Sequence, residues 1–190
     1  MSPVEAKPAS TLLALRDTST EQGSEMQVFM IVRHKKIDFA SGALVFPGGK
    51  VDESDFGEIR KYCIGQEKYN DTELSLRVSA IRETFENEDN YIQDNGTAEL
   101  QEYRKAINAR EITFSEFVQK EKLQLAVDEL VRFSHWVTPE MVPKRFDTHF
   151  YITPAIAGQE ATPDGHESVD AIWIEANEAI RKGEAGELTI

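Results

Sequence analysis

The segment that most constrains the fold joins a glycine turn to a helix, over residues 46–88. The turn occupies residues 46–50, with the sequence Phe-Pro-Gly-Gly-Lys, and follows a short apolar run. A helix is predicted to begin near Asp71, because Asn70 can cap its first free N–H groups and Glu73 can reach back to complete a capping box. The spacing therefore predicts a tight turn followed by a helix.

One side of this helix is predicted to be apolar and the other acidic. Successive helical residues are rotated by about 100°, which places four apolar side chains in one arc: Leu74, Val78, Ile81 and Phe85. Glu83 and Glu86 fall on the opposite side, and Asn87 shares their arc. Paired carboxylates beside a glycine turn can hold a divalent cation next to a bound phosphate, and oxygen ligands suit Mg²⁺ or Mn²⁺. We therefore predict a metal site at Glu83, Glu86 and Asn87.

The glycine turn is the predicted contact with substrate. Two adjacent glycines let the backbone turn sharply and pass close to a ligand. Gly48, Gly49 and Lys50 are therefore candidate substrate-binding residues. A basic cluster at residues 33–36 is either a solvated loop or a clamp for a phosphate group, with Arg33 as its candidate binding residue.

Together these residues resemble the Nudix box. Gly49 matches its opening glycine, Asp55 stands where its first glutamate belongs, and Arg82, Glu83 and Glu86 match its helical core. The resemblance implies that Arg82 orients the catalytic glutamate and links the helix to the glycine turn. It also implies that Glu83 is catalytic and that the two glutamates hold the metal ion.

The box departs from the family pattern at several positions. A long insertion separates the glycine turn from the helix, and Thr84 and Asn90 replace bulky apolar residues. Asn87 replaces the second glutamate of the pair, and Asp89 replaces the final glycine. An amide oxygen can coordinate Mg²⁺ but carries no negative charge. These departures leave open weakened activity, a greater need for metal, or no activity.

A more specific resemblance lies outside the box. Residues 33–49, 135–139 and 144–150 look like the Nudix subgroup of peroxisomal coenzyme A diphosphatases and their bacterial relatives. This resemblance implies an α/β fold, the Nudix α/β/α sandwich, with a mixed β-sheet and helical insertions. It implies coenzyme A or acyl-CoA as substrate, cleaved to adenosine 3′,5′-bisphosphate and 4′-phosphopantetheine. Nudix enzymes often carry a further carboxylate in the loop before the last strand, which makes Glu167 a second candidate general base beside Glu83.

Two alternatives stay open at this stage. The runner-up among enzymes is a Nudix diphosphatase on the same scaffold that acts on ADP-ribose, a dinucleotide or a nucleotide sugar. It is also compatible with a nucleotide-binding protein that kept the fold and lost catalysis as the box changed at Asn87 and Asp89.

Length and patterning predict one domain over residues 10–190 after a mobile tail over residues 1–9. Insertions are expected at about residues 53–72 and 97–125. The second is expected to help form a substrate pocket or a dimer surface. Six strands are predicted, at residues 11–16, 26–33, 43–46, 130–137, 146–152 and 168–174. Further helices are predicted at residues 56–62, 97–109, 114–121 and 175–182.

Composition and charge limit the kinds of substrate and partner that this chain is expected to have. A net charge of −13 argues against long nucleic acid as a substrate, which leaves a small nucleotide. No apolar run is long enough to cross a membrane, and the single cysteine, Cys63, fits a reducing compartment. Residues 1–10 lack the basic and apolar segments of a signal peptide, so a cytoplasmic protein is expected, with a homodimer as a possible assembly. His34, His135 and His149 match no compact metal-ligand spacing and are expected not to bind metal.

Overall fold

A computed structural model of the chain describes residues 4–20, 23–33, 42–87, 98–155 and 168–190. These residues form a seven-stranded sheet and four α-helices. The strands are β1 Lys7–Thr20, β2 Gly23–Arg33, β3 Leu44–Val45, β4 Gly48–Lys50, β5 Val131–Val137, β6 Phe146–Pro154 and β7 Ser168–Glu175. The helices are α1 Asp71–Asn87, α2 Ala98–Asn108, α3 Phe114–Glu121 and α4 Ala176–Glu184. Among these residues no helix combines the length and hydrophobicity needed to cross a membrane.

The sheet is mixed, with the main strand order β3-β2-β1-β6-β5. Strands β1 and β2 pair as an antiparallel hairpin, and β5 and β6 form a second antiparallel pair. The single parallel pairing within the described sheet joins β1 to β6, with Lys7 opposite Phe146. Strand β4 pairs with β1, and β7 pairs with β2. Strand pairing therefore includes Lys7, so the last residues of the predicted mobile tail belong to the sheet.

Adjacent residues of β1 separate the two helical layers. Leu12 and Leu13 point to opposite faces of the sheet, because side chains alternate along a strand. Leu12 packs with residues of α1, whereas Leu13 packs in a cluster that includes Ala179 of α4. The fold is the expected α/β sandwich with helices on both faces of a mixed sheet.

Helix α1 begins at Asp71, as predicted. The Oδ1 atom of Asn70 accepts a hydrogen bond from the backbone N–H of Glu73 at 2.9 Å, which confirms the cap. The Glu73 carboxylate does not act as the predicted second half of a capping box. It instead accepts a hydrogen bond from Arg77 Nε at 3.0 Å.

The predicted apolar stripe of α1 is present, and the helix also has a second apolar face that the pattern did not predict. Leu74, Val78 and Phe85 pack against the inserted segments. Leu76 and Ala80 pack against the sheet. The helix is therefore covered on both sides, and its acidic end lies between them.

The two predicted insertions pack on each other. The first contains 3₁₀ turns, at Glu53–Asp55, Gly57–Tyr62 and Gln66–Lys68, and the second contains α2 and α3. The backbone of Ile64 donates to Leu125 at 2.9 Å, and that of Leu125 donates to Tyr62 at 2.7 Å. A capping box opens α3, since Thr113 and Glu116 each bind the other's backbone N–H. The insertions thus form one cap on the outer face of α1.

Candidate active site

A cleft of about 1050 Å³ opens beside the end of α1. Its lining includes residues from alternate positions of β1 and β6, among them Ala9, Thr11, Phe146, Thr148 and Phe150. The glycine turn forms another part of the wall, since Gly48 and Gly49 pair with Thr11 and Ser10 of β1. The cleft therefore lies where the sheet, the glycine turn and the acidic end of α1 meet.

Both glycines of the turn are required by close approaches. A side-chain carbon on Gly48 would lie 2.6 Å from the backbone oxygen of Ser10. The same addition at Gly49 would overlap the carboxylate of Glu83. The glycine turn therefore holds the Glu83 side chain against bare backbone, at the wall of the cleft.

Arg82 joins the helix, the glycine turn and the first insertion. Its Nη2 atom donates to the carbonyl oxygen of Lys50 at 2.7 Å. Its Nη1 atom donates to Glu83 at 2.9 Å and to Glu86 at 3.1 Å. These contacts agree with the linking position expected of Arg82, while its catalytic role stays a prediction.

Asp55 completes the Arg82 network from the other side. Its carboxylate is fully buried and accepts two hydrogen bonds from Arg82, at 2.8 Å from Nε and 3.1 Å from Nη2. It also accepts the backbone N–H of Asp52 at 2.7 Å, in a reciprocal cap of the 3₁₀ turn. Asp55 stands where the first glutamate of the Nudix box belongs, and in the structure it anchors Arg82.

Three carboxylates surround one guanidinium at this site. Burial raises the pKa of Glu83 to about 7, and the charge of Glu86 adds to the effect against the opposing influence of Arg82. Burial also raises the pKa of Glu86 and of Asp55. A single guanidinium cannot neutralise Asp55, Glu83 and Glu86, so an excess of negative charge remains in a partly desolvated place. Such a site favours a bound cation.

Comparison with models of known protein families identifies the family to which this chain belongs. Residues 62–190 match the family model described as the NUDT19 Nudix domain. This chain belongs to the Nudix family. The family match covers most of the chain, including the α1 helix, both β5 and β6, and the last strand.

Individual relatives agree with this assignment. The chain is 24% identical over 207 residues to acyl-coenzyme A diphosphatase NUDT19 of Xenopus laevis, covering 83% of this chain and 54% of that protein. It is 26% identical over 186 residues to putative nudix hydrolase 7 of Caenorhabditis elegans, covering 96% of this chain and 55% of that protein. The chain thus spans about half the length of these curated relatives.

A solved structure confirms the predicted Nudix sandwich. The NUDIX hydrolase from Alicyclobacillus acidocaldarius superposes with a TM-score of 0.81 at 27% sequence identity. The match covers 97% of this chain and 86% of that chain. The predicted fold class is therefore confirmed.

Asn87, the altered position of the Nudix box, lines the cleft beside Glu83 and Glu86. Its side chain is buried, and its Nδ2 atom donates to the carbonyl oxygen of Glu83 at 2.7 Å. The amide is thereby held against the helix backbone. Metal binding by its oxygen stays a prediction.

The other predicted site residues divide into two groups. Gly48, Gly49 and Lys50 line the cleft with the Nudix carboxylates. The side chain of Arg33 and the whole of Glu167 lie outside the described residues. Their proposed roles in substrate binding and proton transfer are therefore untested.

Two cations of the cleft were not singled out from the sequence. Arg110 lies in the cleft wall just after α2, in a left-handed backbone conformation with φ of 59°. Lys144 lies in the same wall, and its Nζ atom is 6.0 Å from the centre of the Phe146 ring. No local sequence signal marks either residue, because both reach the cleft through the packing of an insertion or a loop. The expectation that the second insertion helps form the pocket agrees with the position of Arg110.

Two of the histidines lie together in a compact cluster, although their spacing in the sequence matches no metal site. His135 and His149 lie directly opposite each other on β5 and β6, with ring centres 4.2 Å apart. Asp147 lies close to both rings, and potential ligand atoms of the three side chains fall within 4.8 Å of one another. Burial, with the charges of His135 and Arg132, lowers the pKa of His149. Cross-strand register produces this cluster, which sequence spacing alone could not reveal.

Proposed function

We propose that this protein is a metal-dependent hydrolase that cleaves a diphosphate linking a nucleoside to another group, with coenzyme A or acyl-CoA as the leading substrate. The observation that carries the proposal is the position of Glu83 and Glu86. Both carboxylates line the cleft, and Glu83 packs against the bare backbone of Gly49 in the glycine turn. Arg82 fixes both of them.

The donor set fits Mg²⁺ or Mn²⁺. Both ions prefer oxygen ligands, which Glu83 and Glu86 supply, with Asn87 as a further candidate. The excess negative charge of the carboxylates around Arg82 favours the binding of a cation. When bound, such an ion polarises the phosphorus centre, offsets charge on the leaving phosphate and lowers the pKa of a bound water.

The residues of the chain supply orientation and proton transfer. Arg82 restrains Glu83 and Glu86, and the bidentate bond to Asp55 restrains Arg82 in turn. The proton of the attacking water goes to a carboxylate, either Glu83 or Glu167. Burial raises the pKa of Glu83 to about 7 in the metal-free chain, and a cation bound beside this carboxylate would lower that pKa and keep it ionised, as a base must be.

The cleft also has groups suited to a nucleotide carrying several phosphates. Lys50, Arg110 and Lys144 add positive charge to its wall, and Phe146 and Phe150 offer apolar surface. An acyl-coenzyme A diphosphatase is among the similar proteins, which supports coenzyme A as the first substrate to test. Arg33 stays a candidate for phosphate binding. Long nucleic acid is excluded from this proposal because the chain carries a net charge of −13.

Two alternatives compete with this proposal. The first is a Nudix diphosphatase for ADP-ribose, a dinucleotide or a nucleotide sugar, which would use the same carboxylates. The second is a nucleotide-binding protein without catalysis. The observation that favours it is Asn87, which stands where the Nudix box has a glutamate. We further propose a cytoplasmic location, and a homodimer as the assembly to test.

Product analysis separates these functions. Purified protein is freed of metal and incubated with coenzyme A, acyl-CoA, ADP-ribose or NADH across a range of Mg²⁺ and Mn²⁺ concentrations. Release of adenosine 3′,5′-bisphosphate from coenzyme A is expected, and its loss is expected in Glu83→Gln. Glu99→Gln, which neutralises an exposed acid on α2, is the control. Nucleotide binding by calorimetry with every substrate intact would overturn the hydrolase proposal in favour of binding alone.

A further inference from the structure

We infer that His135, Asp147 and His149 form a second metal site, suited to a zinc-class transition ion and separate from the Nudix carboxylates. Potential ligand atoms of the three side chains lie within 4.8 Å of one another. His149 Nε2 is 3.6 Å from Asp147 Oδ1, and His135 Nε2 contacts the same oxygen. This inference is independent of the proposed hydrolase activity.

The cluster lies on the opposite face of β6 from the cleft. Side chains alternate along a strand, and Phe146, Thr148 and Phe150 line the cleft. Asp147 and His149 therefore point to the other face, which Tyr151 shares where it packs against α1. An ion bound here would not contact a substrate in the cleft.

A tetrahedral ion with three protein ligands and one water is the arrangement that this ligand set suits. Zinc bonds of about 2.0–2.2 Å place ligand atoms roughly 3.3 Å apart, and the candidate ligand atoms here all lie within 4.8 Å of one another. The Nδ1 atom of His149 is buried without a hydrogen-bond partner among the described residues. Rotation of that ring therefore breaks no hydrogen bond at Nδ1. The side chains of His135 and Asp147 are 41% and 39% exposed, which leaves room for water as a fourth ligand.

The ligand types separate this site from the carboxylate site. Imidazole nitrogens favour Zn²⁺, Cu²⁺, Ni²⁺ or Fe²⁺, whereas carboxylate and carbonyl oxygens suit Mg²⁺, Ca²⁺ and Mn²⁺. The charged neighbours of the cluster include Arg132 and Glu73, which contribute opposite charges and lie 3.8 Å apart. The two sites are thus expected to take different ions from the same solution.

Such an ion would stabilise the pairing of the edge strand β5 with β6. Within the described sheet, β5 lies at the end of the strand order and pairs with β6 alone. A bond from His135 on β5 through the ion to Asp147 and His149 on β6 would join these strands directly. Because β6 also supplies the floor of the cleft, the ion would stabilise the substrate-binding strand from behind.

Calorimetric titration with Zn²⁺ tests the inference on the full chain. The carboxylate site is disabled by the double substitution Glu83→Gln and Glu86→Gln, so that zinc binding reports the histidine cluster. We expect one Zn²⁺ per chain in this background and a rise in Tm on zinc addition, because the ion binds only the folded state. Adding His135→Gln or His149→Gln should weaken zinc binding at least about tenfold.

Spectroscopy and a matched control identify the ligands. Co²⁺ in place of Zn²⁺ should give visible tetrahedral absorption, and imidazole nitrogen resonances of both histidines should shift on zinc addition. Glu140→Gln removes an exposed acid from the β5–β6 connection and should leave zinc binding unchanged. Equal zinc affinity with and without His135 and His149, or no zinc binding by the double variant, would overturn the inference. Either result would mean that the two histidines and Asp147 contact one another without binding a metal ion.

Discussion

The carboxylate of Glu83 occupies the space beside Gly49 that the first side-chain carbon of any other residue would need. The requirement for glycine at this position of the Nudix box is therefore steric as well as chemical. The glycine is required because the glutamate lies against it, and the glutamate is held because the turn offers bare backbone.

Gly49→Ala should reduce hydrolysis sharply while leaving the fold intact. The added methyl group must push away either the Glu83 carboxylate or the glycine turn, and a displacement of about 1 Å at a reacting group can lower the rate on the order of 100-fold. Initial rates with coenzyme A measure this effect. Gly183→Ala on α4 is the control, because its added carbon meets only the flexible side chain of Ile190. Equal activity in the two variants would contradict the steric role of Gly49.

Arg82→Lys tests whether the site needs only the positive charge of Arg82 or also its hydrogen-bonding geometry. Lysine keeps the positive charge but cannot reproduce the two parallel bonds from Arg82 to Asp55 while also reaching Glu83 and Lys50. We expect a fall of about 10–100-fold in activity or metal affinity, as is typical when a residue that orients metal ligands is changed. Activity and Mn²⁺ titrations measure the two effects separately. Arg181→Lys, at an exposed position of α4, should change neither.

Glu83→Gln should stabilise the metal-free protein at neutral and alkaline pH. The pKa of Glu83 is about 7 in the folded chain and 4.5 for the free side chain. Between these values the folded state holds a proton that the unfolded state has released, so this group lowers stability as pH rises through the window. Glutamine removes that penalty, which we expect to amount to about 1–3 kcal/mol above pH 7 and to vanish near pH 4.

Chemical unfolding in the presence of a chelator measures this difference at each pH. Glu99→Gln, on the exposed side of α2, should show no such pH-dependent gain. A Glu83→Gln variant that is less stable than the parent at pH 8 would show that the bond to Arg82 outweighs desolvation of the carboxylate.

Asn87→Glu should tighten metal binding and lower the stability of the metal-free chain. The new carboxylate would add a negative charge beside Glu83 and Glu86, which favours a divalent ion when present and adds repulsion when it is absent. Titration with Mg²⁺ or Mn²⁺ measures the first effect, and thermal unfolding with chelator measures the second. Gln101→Glu adds the same charge on exposed α2 and serves as the control. Unchanged metal affinity would mean that position 87 does not face the ion.

Local signals in the sequence were sufficient for most elements. The Asn70 cap, the box formed by Thr113 and Glu116, and the apolar periodicities placed α1, α3 and the later strands within a few residues of their observed bounds. These features depend on neighbours in the chain, and so they can be recognised without the fold.

Features that depend on distant packing could not be recognised in this way. The second apolar face of α1, formed by Leu76 and Ala80, has meaning only because a sheet lies beneath it. The role of Asp55 depends on a fold that brings it to Arg82 across the insertion. The pairing of His135 with His149 depends on a strand register that the bulge in β5 helps to set.

The parallel pairing of β1 with β6 has a consequence for synthesis. Strand β1 ends at Thr20, whereas β6 begins at Phe146, so the ribosome makes β1 and its partner β2 long before it makes the parallel neighbour of β1. We expect the nascent chain to keep one backbone edge of β1 unpaired through most of translation. Chaperones that shield unpaired strand edges would then have the longest access to the strand that ends up at the centre of the finished sheet.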